Sequence, residues 1–299
     1  MPPVNYAQLY LQALQQKFSA GLFFNDLYNT PNNNRIKWVN ANTIQIPRID
    51  VSGMVDHNRE VVGSFSRKVD NSWETKTLGH DREFRTLVDP VDVDEANMAI
   101  TIANITSVFN DEQKIPEMDK YMASKLYAEY TGFGQTAATD ALDEAVILDA
   151  YDTMMEEMDE AEVPAEGRIL YVTPAVNTML KNAQQLQRYI RVDSNAGSVA
   201  RGVRSLDDVT IKVVSSSRMK TLYNFTVGAV ADPAGFQINM ILIHPAAIIA
   251  PQKYEFVDLD QPSANTGGKY LYFERKYWDV FVIERKAPGI KIHRNAVAG

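Results

Sequence analysis

The spacing of apolar positions changes character several times along this chain. In residues 5–20, Tyr6, Leu9, Tyr10, Ala13, Leu14 and Phe18 recur at i, i+3, i+4 intervals. That spacing predicts a short amphipathic helix, stopped by Gly21. Residues 29–34 are Asn and Pro rich and read as a loop. Residues 43–51 then alternate apolar and polar with period two, and residues 65–78 form a second extended run that holds Trp73. Between positions 43 and 86 only 13 of 44 residues are apolar, and seven basic residues accompany seven acidic ones. A two-stranded flap this polar cannot bury enough apolar area to offset its own chain entropy. Such an arm is expected to rest on a neighbouring subunit.

Helical spacing follows. Asp89, Asp92, Asp94 and Glu95 stand where a helix start is expected, with Met98, Ile102, Ile105 and Phe109 as its stripe. A second helix is predicted from Pro116 to about Tyr130, broken at Gly132 and Gly134. A third is predicted over 139–160, with Ala145, Leu148, Met155 and Met158 on the buried side and Leu142 and Val146 near it. Its capping box is incomplete, because Leu142 stands where Glu or Gln is needed. After Pro164 the texture becomes mixed. Residues 168–173 read as a buried strand, Pro174 opens a helix to about Gln187, and 191–206 is a polar loop. Strands follow at 209–214 and 238–243. The tail reads as antiparallel β at 269–275 and 278–284, with Pro288 and Gly289 after it. The class is α+β.

Composition narrows the choice. The chain has 299 residues, 45% of them hydrophobic, and no Cys, which removes disulfides, thiolate metal sites and cysteine nucleophiles. No apolar run approaches the roughly 20 residues of a membrane span. The first residues lack the basic start and apolar core of a signal peptide, so synthesis in a cytoplasm is expected. The net charge of −8 is unevenly laid out. Residues 89–166 hold 20 of the 38 acids and only Lys114, Lys120 and Lys125 as bases, whereas residues 269–299 carry seven bases against three acids. This segregation suits copies that meet head to flank, or else a solvated acidic face.

Chemical motifs are sparse. Gly132-Phe133-Gly134-Gln135-Thr136-Ala137 matches a dinucleotide pattern, but a helix precedes it where a strand is required, so a turn between helices is expected. His57, His80, His244 and His293 are scattered without metal-ligand spacing, and His244 ends an apolar strand as a structural residue. Asp149, Asp152, Glu156, Glu157, Asp159 and Glu160 permit a carboxylate-metal reading beside that of a solvated helix face. Arg188, Arg191, Arg201 and Arg204 cluster around Tyr189 and permit a nucleic-acid or intersubunit reading.

The order of elements resembles the major capsid proteins of tailed bacteriophages, with the Hong Kong 97-type fold. The stretch Trp38-Val39-Asn40-Ala41-Asn42-Thr43-Ile44-Gln45-Ile46-Pro47 carries the resemblance first. Trp73-Glu74-Thr75-Lys76, Asp81-Arg82-Glu83-Phe84, the turn from Val88 to Glu95 and Ile115-Pro116-Glu117-Met118-Asp119 follow it. The step from Val163 to Pro174 and Tyr277-Trp278-Asp279-Val280-Phe281-Val282 complete the series. The resemblance implies an N-terminal arm (1–42), an extended β-hairpin E-loop (43–86), a peripheral domain with long spine helices (87–165), an axial domain (166–249) and a peripheral β tail (250–299). It implies a structural protein with no catalytic residue, cofactor or metal. Its copies would form hexamers and pentamers of an icosahedral shell around phage double-stranded DNA, assembled in the host cytoplasm. A separate scaffolding protein and a portal are the implied partners, with a cement protein as a further candidate. Encapsulin compartment shells share the fold. Trp73, Arg82, Phe84, Leu9 and Phe18 become candidate intersubunit contacts. Asp152, Glu156, Glu157 and Asp159 become a candidate acidic lining of the interior.

Overall fold

The computed structural model describes residues 21–40, 42–54, 69–91, 102–183 and 205–298. The expected helix at 5–20, with Leu9 and Phe18, lies outside them. So do His57, Asp92, Asp94, Glu95, Met98 and the arginines at 188, 191, 201 and 204.

A mixed five-stranded sheet organises one half of the chain. Its strands run in the order Ile290–Ala298, Phe236–Ile243, Ile169–Val172, Val209–Val213, Ser205–Leu206. Ile169–Val172 and Val209–Val213 are parallel, and the other neighbours are antiparallel. Both faces are covered, which explains the unbroken apolar runs in the two central strands. Successive side chains alternate between the faces. Leu170, Val172, Met240 and Leu242 enter one core with Ile147, Tyr151, Met154 and Met158 of the helix Ile147–Glu160 and with Val176 and Leu180 of the helix Pro174–Asn182. Tyr171, Ile241 and Ile243 enter the other core, with Met122, Leu126 and Tyr130 of the spine helix.

The spine differs from its expected division. Residues 102–132 form one run, made of the α-helix Ile102–Phe109, the π-turn Asn110–Lys114 and the α-helix Ile115–Gly132. Pro116 stands in the first turn of the last of these, as expected, but a π-turn rather than a loop precedes it. Its missing N–H falls beside the π-turn, where Ile115 N already reaches back to Asn110 O and the i→i−4 ladder is interrupted. The next helix starts later than expected, at Ile147. Asp143 Oδ1 accepts from the amides of Ala145 (2.7 Å) and Val146 (3.0 Å), so Asp143 holds the turn that leads into the helix, and Thr139 does not cap it. The buried side is correspondingly Ile147, Tyr151, Met154 and Met158, while Ala145 and Val146 are exposed.

The tail also pairs differently from the expected hairpin. Tyr270–Trp278 is one continuous strand between Gln252–Asp260 and His80–Val88, both antiparallel to it. Residues 80–88 thus leave the flap and join this second sheet. The flap proper is the hairpin Thr43–Val51 with Val69–Thr77, in register from Thr43↔Thr77 to Val51↔Val69, edged by Lys37–Trp38. Phe281–Val282 pairs with Ile248–Ile249, and the last strand closes the edge of the five-stranded sheet rather than extending the tail sheet.

Candidate assembly interface

The flap has two unlike faces, set by strand alternation. Cross-strand partners share a face, so Pro47, Ile49 and Val51 stand with Trp73, Asn71 and Val69. Ile49 is 61% exposed, Val51 69% and Trp73 47%, an apolar surface turned away from its own subunit. Lys37 stands over the Trp73 ring at 5.4 Å from its centroid. The opposite face carries Arg48 and Asp50, which meet Glu284 and Arg285 of the same chain. Among the described flap residues only the base is packed. Ile44, Leu78 and Phe281 are buried together, flanked by Ile36, Trp38 and Tyr277. Lys253 covers the Trp38 ring at 4.3 Å.

Three buried carboxylates tie the spine to the segments around it. Asp279 accepts from Gly79 N at 2.7 Å, from the Tyr121 hydroxyl at 2.7 Å and from Val280 N at 2.7 Å. It thereby joins the flap's exit to the spine helix and the tail. Burial and the Asp279 charge push the Tyr121 phenol far above its ordinary range. Glu117 receives Arg82 Nε at 2.6 Å and stands 3.5 Å from His80 Nε2. Burial raises the Glu117 carboxyl, but His80 and Arg82 outweigh it and hold the group below its ordinary value. Asp119 is fully buried and accepts from Phe23 N (3.2 Å), Phe24 N (3.1 Å) and Arg218 Nη1 (2.7 Å). There burial prevails over those donors, and the carboxyl sits above its ordinary value. Lys114, at the end of the π-turn, pairs with Glu274, whose other oxygen takes the Tyr272 hydroxyl at 2.8 Å.

The candidate contacts divide on this geometry. Trp73 lies on the outward face. Arg82 and Phe84, expected to meet a neighbour, are occupied within the subunit. Arg82 binds Glu117 and donates to Phe225 O at 2.6 Å, and Phe84 stacks on Phe109 at 3.9 Å. Residues 80–88 form an edge strand of the tail sheet rather than part of the flap, and Arg82 and Phe84 lie on its spine-facing side. Of the acidic set, Asp152 and Glu156 are exposed on their helix. Glu157 pairs with Lys291 at 2.7 Å and Asp159 with Arg168 at 2.6 Å, so half of the set does not form a free lining. Among the described residues no group of three or more His, Asp or Glu is placed to hold a metal ion.

Gly132 to Ala137 ends the spine: Phe133 N bonds Glu129 O, Gly134 has φ +75°, and Ala138 then bridges to His293 instead of starting a helix. His244 Nδ1 accepts from Ala246 N at 3.1 Å and its Nε2 faces Glu166 O at 3.2 Å, a structural role. Sequence reasoning missed the buried roles of Asp119, Asp279 and Glu274. A signal was available for Asp279 alone, a single carboxylate between Trp278 and Val280.

No family model matches the sequence, and no curated protein matches it. Solved structures do. The capsid of cyanophage P-SCSP1u superposes with a TM-score of 0.69 at 11% identity, over 97% of this chain and 93% of that one. The mature capsid of bacteriophage PhiM1 gives 0.64 at 15% identity, over 97% and 93%. A structure from Mycobacterium phage Che8 gives 0.64 at 16% identity, over 96% of both chains. The chain has the Hong Kong 97-type fold found in phage capsids.

Proposed function

We propose that this chain is the major capsid protein of a tailed phage, and that many copies form a closed icosahedral shell around double-stranded DNA. The observation that carries this reading is the outward apolar face of the flap, Pro47, Ile49, Val51 and Trp73, on a fold matched along nearly its whole length by capsid chains. Contiguous apolar surface of this kind marks a protein interface. Its place on an arm that packs only at its base suits contact with a second copy. The function resides in interfaces rather than in catalysis.

Hexamers and pentamers would be the building units, with a scaffolding protein, a portal and a cement protein as partners in the virion. Residues 1–42 would be the arm and the region from 43 the E-loop, with the hinge at Thr77 to Gly79, where hairpin pairing stops. The spine and tail sheet would be peripheral. The five-stranded sheet would be axial and would take in the last strand. Electron microscopy of the purified full chain tests this: closed shells are expected, and a particle that stays monomeric at high concentration overturns it. Shells that enclose protein cargo instead of DNA would favour a compartment of the encapsulin kind.

A further inference from the structure

The outer half of the flap is held to its own subunit in a way the base is not. Beyond Pro47 its inner face meets the turn Glu284–Gly289 through charges. Arg48 Nη1 lies 3.2 Å from Glu284 Oε2, and Arg48 Nε lies 3.2 Å from Asp50 Oδ2. Arg285 pairs with Asp50 and donates to Ile49 O at 3.2 Å. The four side chains are 40–53% exposed, so solvent and salt reach all of them. Beneath the strand a cavity of about 130 Å³ lies between the inner side of residues 46–49 with Glu74 and the segment Ile283 to Arg285. The blade therefore spans a gap, propped by charges, on an apolar fulcrum of Ile44, Leu78 and Phe281.

We propose that Arg48, Asp50, Glu284 and Arg285 act as an electrostatic prop that sets the angle of the flap in the unassembled subunit and so aims its apolar face. Each residue contributes charge and stays about half exposed, which makes the angle adjustable in a way that a packed apolar contact would not allow. An exposed network is weakened when the Debye length falls from about 10 Å at 0.1 M salt to about 3 Å at 1 M. The fulcrum is insensitive to such screening. Salt should thus free the blade without unseating its base. For assembly, the consequence rests on the shell reading above: a blade fixed in angle loses less freedom on docking than a loose one.

The absence of Cys allows a direct test in the full-length chain. Spin labels at Asn71→Cys on the blade and Lys286→Cys on the turn report the distance by pulsed dipolar spectroscopy in unassembled subunits. A narrow distribution is expected at 0.1 M salt, broadening at least twofold at 1 M. Arg48→Glu should broaden it at low salt. Reversal of all four charges (Arg48→Glu, Asp50→Arg, Glu284→Arg, Arg285→Glu) should restore the narrow distribution. Equal widths in all four samples would overturn the prop, as would a quadruple variant as broad as the single one. The measurement needs no shells. Failure of the shell reading would leave the distances as predicted, whereas failure of the prop would leave shells forming with the same salt dependence in Arg48→Glu as in the parent.

Discussion

Individual carboxylates decide how this subunit holds together. Asp119 is wholly enclosed with Arg218 and two backbone amides, so Asp119→Ala strands a nearly buried guanidinium and two donors. Losing one partner of a buried pair costs about 3–5 kcal/mol, and urea denaturation of unassembled subunits should show a loss in that range. Glu117 makes a separate, pH-dependent contribution. Its folded value lies below the ordinary glutamate value of 4.5, so as pH falls the unfolded chain takes up the proton first. The contribution is complete above about pH 4.5 and is lost as pH drops below it through the lowered folded value. Thermal melts between pH 3 and pH 6 should show a shallower acid limb for Glu117→Gln than for the parent; an unchanged limb would remove Glu117 from the account. These roles were not legible beforehand. A carboxylate in a helix looks alike whether it faces water, as Asp152 does, or an arginine 99 residues away, as Asp119 does.

Elements were legible where periodicity is local and illegible where pairing is remote. The apolar runs at 169–172 and 238–243 identify themselves as buried strands because both faces of their sheet are covered. Nothing local tells residues 290–298 to join that sheet, or residues 80–88 to leave the flap for the tail sheet. The second of these choices is pinned by Asp279, which holds Gly79 N and the Tyr121 hydroxyl. The flap's polar composition was legible, and its described strands, residues 43–51 and 69–77, have little core of their own. Replacing residues 50–70 by Asn-Gly, so that the paired positions Ile49 and Asn71 are joined by a two-residue turn, should keep the fulcrum and the fold. The melting temperature should move by no more than about 4 °C, the shift that about 1 kcal/mol makes in a large domain. Shells should not form, as judged by sedimentation. Trp73→Ala is the single-residue counterpart. With its ring half-exposed, its effect on subunit stability should stay below about 1 kcal/mol, the scale of its cation–π contact with Lys37. Each intersubunit contact should weaken by about 2 kcal/mol or more. A stability loss larger than the assembly loss would place Trp73 in the subunit's own core.

At the scale of the whole molecule, the proposed shell raises the question of what its wall would present to DNA. Residues 126–167 contain 12 acids and no base. We propose that the helix Ile147–Glu160 faces the interior and keeps the packaged polyanion from adhering to the wall, since each phosphate neutralised there would add a salt-sensitive attraction. The geometry limits which residues can act this way. Burial, Asp207 and Asp149 all push the Asp152 carboxyl upward, a mark of the negative field on this face. Asp152 and Glu156 are exposed, while Asp159 neutralises Arg168, a side chain only 1% exposed. The informative variant is therefore Asp152→Lys with Glu156→Lys. Its shells should retain nuclease-resistant nucleic acid at 50 mM salt and release it progressively toward 0.5 M, with a logarithmic slope of about 0.7–0.9 per phosphate contacted. Asp159→Lys should behave differently: it sets a second cation beside the buried Arg168 guanidinium and should lower subunit stability before any shell can be loaded. Double-variant shells as free of nucleic acid as the parent at low salt would show that this helix faces away from the DNA.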